Sequence, residues 1–341
     1  MGYRVEKEKI EKNKKWLKRI LLGVLLLIIV GLAVFSAFVP PASWKYYFSL
    51  PDVERREYGE LRVHFLDVGQ GDSTLIELPD GKTMLIDAGD GSSDASKAIL
   101  RYLNALKIDT LDYLVITHAD GDHCGGVAEL LKYKHAEIAY IPPTKANSDT
   151  KYAQAYAALM KSGSKCIYSS RDIASLGKSD GEYPYTLSFL SPYAESVENV
   201  LESEAEITDD NLYSAVIWLD YQGTSVLFTG DIPERKERDL IRDDQLGFFE
   251  NRGVSLSSTE ILKVAHHGSS SSTCSEFLEY LGVKTAVISC GETNAYGHPS
   301  KETLSRLTLA GAELYRTDLQ GHIVVTISPD GSYEQNIKTL K

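Results

Sequence analysis

Twenty consecutive residues without a charge, Ile20–Val39, interrupt a chain that elsewhere changes between apolar and polar positions over short spans. As a helix this stretch rises about 30 Å, the thickness of a bilayer's hydrocarbon layer. Residues 40–58 follow with Pro-containing turns and no sustained period. From Leu61 the pattern becomes strand-like. Leu61–Asp67 alternates, breaks at Val68-Gly69-Gln70-Gly71-Asp72, resumes over Ser73–Leu78, turns at Pro79-Asp80-Gly81 and returns over Lys82–Asp87. After Ser92-Ser93-Asp94, the residues Ala95, Ile99, Tyr102, Leu103 and Leu106 recur at helical spacing, with a serine or aspartate available as cap. Leu111–Thr117 is a buried strand running into His118. A second round has the same grammar: a hairpin of Tyr213–Tyr221 and Thr224–Thr229 around Gln222-Gly223, a charged helix over Ile232–Gln245, and strands at Glu260–Ala265 and Thr285–Ser289. Groups of strands separated by helices predict an α/β (α+β) domain, two mixed sheets beneath outer helices. Residues 145–205 are the least patterned, with turn formers at Gly177–Gly181 and acidic residues over Glu195–Glu206, and read as a surface excursion.

These boundaries divide the 341 residues into a basic tail at 1–19, a transmembrane signal-anchor at 20–39, a spacer at 40–58 and one large domain at 59–335. The net charge of −12 is unevenly placed: residues 1–39 hold eight Lys/Arg and three Glu, a surplus of +5 that leaves −17 on the rest. An acidic body argues against broad capture of a polyanion through a basic surface, so an anionic substrate must be held locally. Arg4, Lys7, Lys9, Lys12, Lys14, Lys15, Lys18 and Arg19 precede the apolar stretch, and Trp44, Tyr46, Tyr47 and Phe48 follow it. That order predicts a single-pass protein of the cell membrane, N-terminus cytoplasmic and C-terminal domain extracellular. A cleaved signal peptide usually has a shorter apolar core, about 7–15 residues, and ends in a small-x-small site. Val34-Phe35-Ser36 is a poor one, so the anchor is expected to stay uncleaved. Cys124, Cys166, Cys274 and Cys290 lie far apart without a CxxC pair, which excludes a disulfide scaffold and a zinc ribbon.

Candidate chemistry concentrates where strands are expected to end. Thr117-His118-Ala119-Asp120-Gly121-Asp122-His123 places two imidazoles and two carboxylates within six positions, with Gly125-Gly126 letting the backbone turn tightly beneath them. In an irregular loop such residues can divide between two adjacent cations. Thr229-Gly230-Asp231 ends another strand with a lone aspartate, Ala265-His266-His267-Gly268-Ser269 ends a third with paired histidines, and Asn294-Ala295-Tyr296-Gly297-His298-Pro299 follows a fourth. Five of the eight histidines fall in these segments; His64, His135 and His322 have no companions and read as structural.

The order FLDVGQGDS (65–73), Leu85-Ile86-Asp87-Ala88-Gly89, His118-x-Asp120-x-Asp122-His123, Thr229-Gly230-Asp231, His266-His267-Gly268-Ser269 and Tyr296-Gly297-His298-Pro299 resembles the metallo-β-lactamase superfamily, and within it the extracytoplasmic hydrolase domain of the ComEC/Rec2 competence proteins. The likeness runs from about Leu61 to Ile327. It implies a four-layer αββα sandwich with a two-metal site at the open edge between the sheets. Carried over residue by residue, it implies His118 and Asp120 on one ion, Asp122 and His123 on the other, and Asp231 bridging. One of His266 and His267 completes the second ion's set, His266 being expected because it lies nearer the strand. Asp120 stands where most of the superfamily has a second histidine. The usual third-motif histidine has no counterpart; Asp209-Asp210-Asn211-Leu212-Tyr213-Ser214 matches the competence branch instead, leaving that position to Asp210 or Asn211, directly or through water. The resemblance further implies a catalytic set of Asp122, Asp231 and His298, substrate contacts from His267, Ser269, Asn211 and His298, and supporting hydrogen bonds from Asp67, Gln70 and Asp72.

Three carboxylates with three imidazoles and no thiolate form a hard site, so the expected cofactors are two divalent ions, Mn²⁺ or Zn²⁺. Cys124 is expected to be a buried spacer, not a ligand. The resulting expectation is a membrane-anchored extracellular phosphodiesterase or nuclease acting on DNA by hydroxide activated between two ions, with DNA-uptake machinery as a partner. One alternative is a surface phosphodiesterase acting on phosphocholine or teichoic-acid-type substrates; another is a non-catalytic binding module that keeps the fold. A β-lactam hydrolase is disfavoured by the aspartate-rich motif.

Overall fold

The computed structural model describes residues 2–144, 150–177, 181–202, 209–333 and 337–340, with the backbone alone for 2–5 and 7–10. The chain separates into two compact units, 1–49 and 50–341. In the first, one helix runs over Gly2–Phe38, and its Glu11–Phe38 part is long and apolar enough to cross a membrane, a property a signal sequence shares. A 3₁₀ turn, Pro41–Tyr46, follows; the Trp44 indole donates to the Val39 carbonyl (3.0 Å) and its ring lies 5.7 Å from that of Phe35.

In the second unit, fourteen strands among the described residues build two sheets. The first contains β1 (Leu61–Phe65), β2 (Thr74–Glu77), β3 (Thr83–Ile86), β4 (Thr110–Val115), β5 (His135–Ile141) and β6 (Lys165–Tyr168). The second contains β7 (Tyr185–Ser191), β8 (Val216–Tyr221), β9 (Thr224–Phe228), β10 (Thr259–Lys263), β11 (Thr285–Ile288) and β12 (Glu313–Arg316). The chain then returns to the first sheet with β13 (His322–Ile327) and β14 (Ile337–Leu340), giving the orders 14-13-1-2-3-4-5-6 and 12-11-10-9-8-7. Pairing is antiparallel from β14 to β3 and from β7 to β9, and parallel from β3 to β6 and from β9 to β12.

Alternation along the strands decides what faces what. Val63, Phe65, Ile76, Ile86 and Val115 of the first sheet pack with Phe189, Ile217, Val226, Phe228 and Val287 of the second in one core between the sheets. Each such side chain, fully buried, is worth about 1.5–3 kcal/mol in transfer free energy. The opposite face of the second sheet, with Val216, Trp218, Leu227 and Leu262, packs on Leu240, Ile241, Phe277, Leu278 and Leu307 of outer helices. On the first sheet the helix Ser93–Leu106, capped by Ser92 accepting from the Ala95 N–H, is tied to β1 by a hydrogen bond between Tyr102 and His64 (2.9 Å). Helix, two sheets and helix make the expected four-layer sandwich.

Three expectations change. The described part of 145–205, which excludes 145–149, is not a surface excursion: it supplies β6 and β7, an edge of each sheet, with Leu187 and Phe189 buried in the central core. Lys178 to Asp180 within Gly177–Gly181, the end of Glu195–Glu206, and Gln335 at the end of the expected domain lie outside the described residues. The charged helix begins at Glu234, because Pro233 at its N-cap adopts an extended backbone, and the Tyr213–Tyr221 strand shortens to Val216–Tyr221 because Asp210–Tyr213 forms a 3₁₀ turn.

Candidate metal centre

The parallel strands β3, β4, β9, β10 and β11 release their C-terminal ends on one side of the sandwich, and each continues into a polar segment: Asp87, Thr117-His118, Asp231, His266-His267 and Ser289. Loops at the carboxyl ends of parallel strands are where open α/β sheets bind ligands. The sheets meet there, the Ala215 N–H bonding the Thr117 carbonyl (2.9 Å), and within the second sheet the Thr229 hydroxyl bonds the Lys263 carbonyl (2.7 Å).

Hydrogen bonds behind the rings settle the tautomer of three histidines. Asp87 accepts from the Thr117 N–H (2.8 Å) and the Thr117 hydroxyl (2.7 Å), and its Oδ2 lies 2.8 Å from His123 Nδ1. A carboxylate can only accept, so His123 carries its proton on Nδ1. The Thr117 hydroxyl has spent its hydrogen on Asp87 and can only accept from His118 Nδ1, 3.0 Å away. His267 Nδ1 faces two acceptors, the Ser289 carbonyl (3.0 Å) and Asp72 Oδ1 (3.3 Å). All three rings therefore aim an Nε2 lone pair into the cleft. Outer hydrogen bonds of this kind are what orient imidazoles for metal ligation.

The lone pairs converge with carboxylates. His123 Nε2 is 3.3 Å from Asp231 Oδ1 and 3.3 Å from His267 Nε2; His267 Nε2 is 3.3 Å from Asp122 Oδ2 and 3.5 Å from Asp231 Oδ2. His118 Nε2 lies 3.6 Å from Asp120 Oδ2 and 4.0 Å from Asp231 Oδ2. Two ligands about 2.1 Å from a shared ion at a tetrahedral angle stand about 3.4 Å apart, so this spacing fits coordination. His118 Nε2 and Asp231 Oδ1 are buried without a hydrogen-bond partner, a cost that bound cations would remove; Asp72 Oδ1 and Asn211 Oδ1 are also buried without one. His118, His123 and Asp231 form one buried group of ligand spacing and Asp72, His123 and His267 another, consistent with a dinuclear site.

The field points the same way. Burial opposes a charged His267, yet Asp231 and Asp72 outweigh it and push its pKa up to about 10. Burial would raise Asp122, but His267 and His123 bring it down to about 2. Asp231 is likewise held well below the carboxylate range against its burial, by His123 and His267. Burial lifts the Cys124 thiol to about 12; its sulfur faces the Ala119 carbonyl, as suits a spacer.

The remaining expected residues divide. His267, not His266, takes the buried position. Both have left-handed backbones (φ 53° and 52°), strain on the order of 1–3 kcal/mol each, and this tight coil turns the second ring inward. His266 stays partly exposed with Nε2 3.8 Å from Asp231, its ring 5.6 Å from that of His298. His298 sits at the rim in a loop closed by Asn294, which accepts from the His298 N–H and donates to the His298 and Gly291 carbonyls. Burial, His267 and His266 lower its pKa. The Ser269 hydroxyl is engaged with that of Ser271 (2.9 Å). Asp210, whose pKa is raised by burial and by Asp120, opens the 3₁₀ turn that holds Asn211. Asp72 faces His267, whereas Asp67 caps its own turn and bonds His322, and Gln70 accepts from the Gly291 N–H (3.4 Å). Asp87, Thr117, Ser214 and Lys263 were not singled out by sequence. Asp87 lies within the Leu85–Gly89 motif, and Ser214 ends the Asn-x-x-Ser segment and accepts from the Asp231 N–H (3.2 Å).

Residues 66–292 match the metallo-beta-lactamase superfamily. The chain is 31% identical over 280 residues to ComE operon protein 3 of Bacillus subtilis (strain 168), covering 77% of this chain and 33% of that protein. It is also 31% identical over 282 residues to Recombination protein 2 of Haemophilus influenzae, covering 82% and 30%. It spans about a third of the length of these curated relatives. Among solved structures, the metallo-beta-lactamase fold protein YhfI from Bacillus subtilis aligns with a TM-score of 0.46 and 16% identity, over 78% of this chain and 99% of that one. With a match across most of the domain and the superfamily's His/Asp groups buried at its sheet ends, the chain belongs to the metallo-β-lactamase superfamily and is related to the competence and recombination proteins.

Proposed function

We propose that this chain is a membrane-anchored, outward-facing phosphodiesterase that cleaves DNA with two divalent ions, Mn²⁺ or Zn²⁺. The observation that carries the reading is the convergence of three Nε2 lone pairs with the carboxylates of Asp120, Asp122 and Asp231 in one cleft. Kinship with proteins named for competence and recombination supports DNA as substrate and uptake machinery as partner. The basic residues before the apolar helix support a cytoplasmic N-terminus.

His118, Asp120 and Asp231 are assigned to one ion, and Asp122, His123, His267 and Asp231 to the other, with Asp210 and Asn211 beside the first. When bound, such a pair acidifies water and offsets charge building on a phosphate. The protein's share is preorganisation: Asp87 and Thr117 hold two rings from behind, and Ser214 holds the Asp231 backbone. His298 presents a ring N–H at the rim to a phosphate or leaving oxygen. His266 and the exposed Tyr296, 5.7 Å from the His298 ring, line the entry beside it.

The −17 charge outside the first 39 residues favours a second reading, a smaller or zwitterionic diester such as a phosphocholine or teichoic-acid unit. Full-length protein in detergent, incubated with labelled single- and double-stranded DNA and with bis-p-nitrophenyl phosphate in Mn²⁺, Zn²⁺ or EDTA, separates the readings. Metal-dependent DNA cleavage lost in Asp231→Ala is the expected result. Cleavage of the small diester alone moves the assignment to the second reading, and no bound cation with no activation by either metal leaves a binding module.

A further inference from the structure

Behind His267 lies a charge that the metal reading does not use. Lys263, the last residue of β10, is buried, and its ammonium donates to Asp72 Oδ2 at 2.6 Å and to the Val264 carbonyl at 3.0 Å. Asp72 turns its other oxygen to His267 Nδ1, 3.3 Å away. Its backbone is pinned to the metal loops as well: its N–H bonds the Asp122 carbonyl (3.2 Å) and its carbonyl accepts from the Gly89 N–H (2.9 Å). Lys263 therefore joins the second sheet to the loop between β1 and β2 of the first, directly under the cleft.

Asp72 has ligand spacing with His123 and His267, so by distance alone it competes to be a ligand. We propose that Lys263 is a positioning residue of the metal centre, a fixed internal cation that keeps Asp72 out of the ligand set and holds its carboxylate facing His267 Nδ1, whose hydrogen bond goes to the Ser289 carbonyl. The inference rests on the two-ion reading above. Charge accounting supports it. With Asp72 matched by Lys263, the carboxylates Asp87, Asp120, Asp122 and Asp231 balance two divalent ions. A lysine is buried this completely only when its charge is paired. Without the ammonium, Asp72 is left as an uncompensated buried anion beside the ligands, free to swing towards the ions and take a coordination position from them.

The test measures metal, not turnover. Full-length wild type, Lys263→Met and the double variant Asp72→Asn/Lys263→Met are titrated with Mn²⁺ by calorimetry, with bound metal counted by elemental analysis and folding checked by circular dichroism. Wild type is expected to hold two ions, and Lys263→Met to lose on the order of 10–100-fold in affinity for one of them. The double variant removes both charges and leaves a neutral amide beside His267, whose Nδ1–H keeps the Ser289 carbonyl as its acceptor, so it is expected to recover to within about tenfold of wild type. That recovery is the outcome a packing role for Lys263 would not give, and it is read whether or not the single variant folds. Two ions bound with wild-type affinity by folded Lys263→Met, or loss of one ion in the double variant, overturns the role of Lys263 alone. A wild type that binds no metal overturns both this role and the two-ion reading.

Discussion

Nε2 of His123 faces Nε2 of His267 across 3.3 Å, although each ring holds its proton on the opposite nitrogen. Two lone pairs at that distance repel unless positive charge lies between or beside them. A proton serves in the absence of metal, held on His267 against burial by Asp231 and Asp72; a divalent ion would serve better, because it would also satisfy Asp231 Oδ1 and Asp122.

Asp87 governs this geometry from one residue beyond β3. Asp87→Asn can present an amide N–H to His123 Nδ1, which favours the tautomer with the proton on Nε2, pointing at the ions. Mn²⁺ affinity is expected to fall on the order of 10–100-fold, and at least as far as in Asp87→Ala. Parallel titrations of the two variants check it, and a milder effect of Asn than of Ala would refute the tautomer argument.

The two adjacent histidines should separate cleanly. His267→Ala is expected to lose one of two bound ions, whereas His266→Ala should keep both and alter KM for the diester more than metal content. Elemental analysis beside steady-state kinetics decides this, and the reverse pattern would restore His266 as ligand.

On the ligand assignment proposed above, Asp120 would set the hardness of the first ion's surroundings. Asp120→His replaces an oxygen donor by nitrogen and is expected to shift the Zn²⁺ to Mn²⁺ affinity ratio upwards on the order of tenfold. An unchanged ratio in competition titrations counts against the hardness argument.

Away from the cleft, Arg252 binds the carbonyls of Arg171, Phe189 (2.9 Å) and Ile173 (2.9 Å), tying the stretch before β7 to the second sheet. Arg252→Met leaves these acceptors without their charged donor and is expected to cost about 2–4 kcal/mol of stability. The shift in urea midpoint measures it, with metal content unchanged.

Local pattern carried much of this protein. Alternation marked β1, short apolar runs bounded by turn formers or polar residues marked β2 to β4 and β8 to β11, helical spacing marked Ser93–Leu106, and the run His118 to His123 marked a candidate metal loop, because each is written within a few neighbouring residues. Residues 145–205 were illegible for the converse reason: β6 is only partly buried and lacks alternation, so what makes it a strand is the waiting edge of β5, not its own composition. Gly126 shows the same division. Its φ of −82° is open to any residue, and glycine is required because a Cβ there would lie 2.0 Å from the Ala88 carbonyl, on a segment 38 residues away. The sequence by itself determined which residue types meet at the strand ends. Only the tertiary structure decided which atoms face the cleft: His267 over His266 by two left-handed residues, the three tautomers by Asp87, Thr117 and Ser289, and the pairing of Lys263 with Asp72 across 191 positions. Direction and hydrogen-bond partnership are properties of packed neighbours, and those neighbours are distant in the chain.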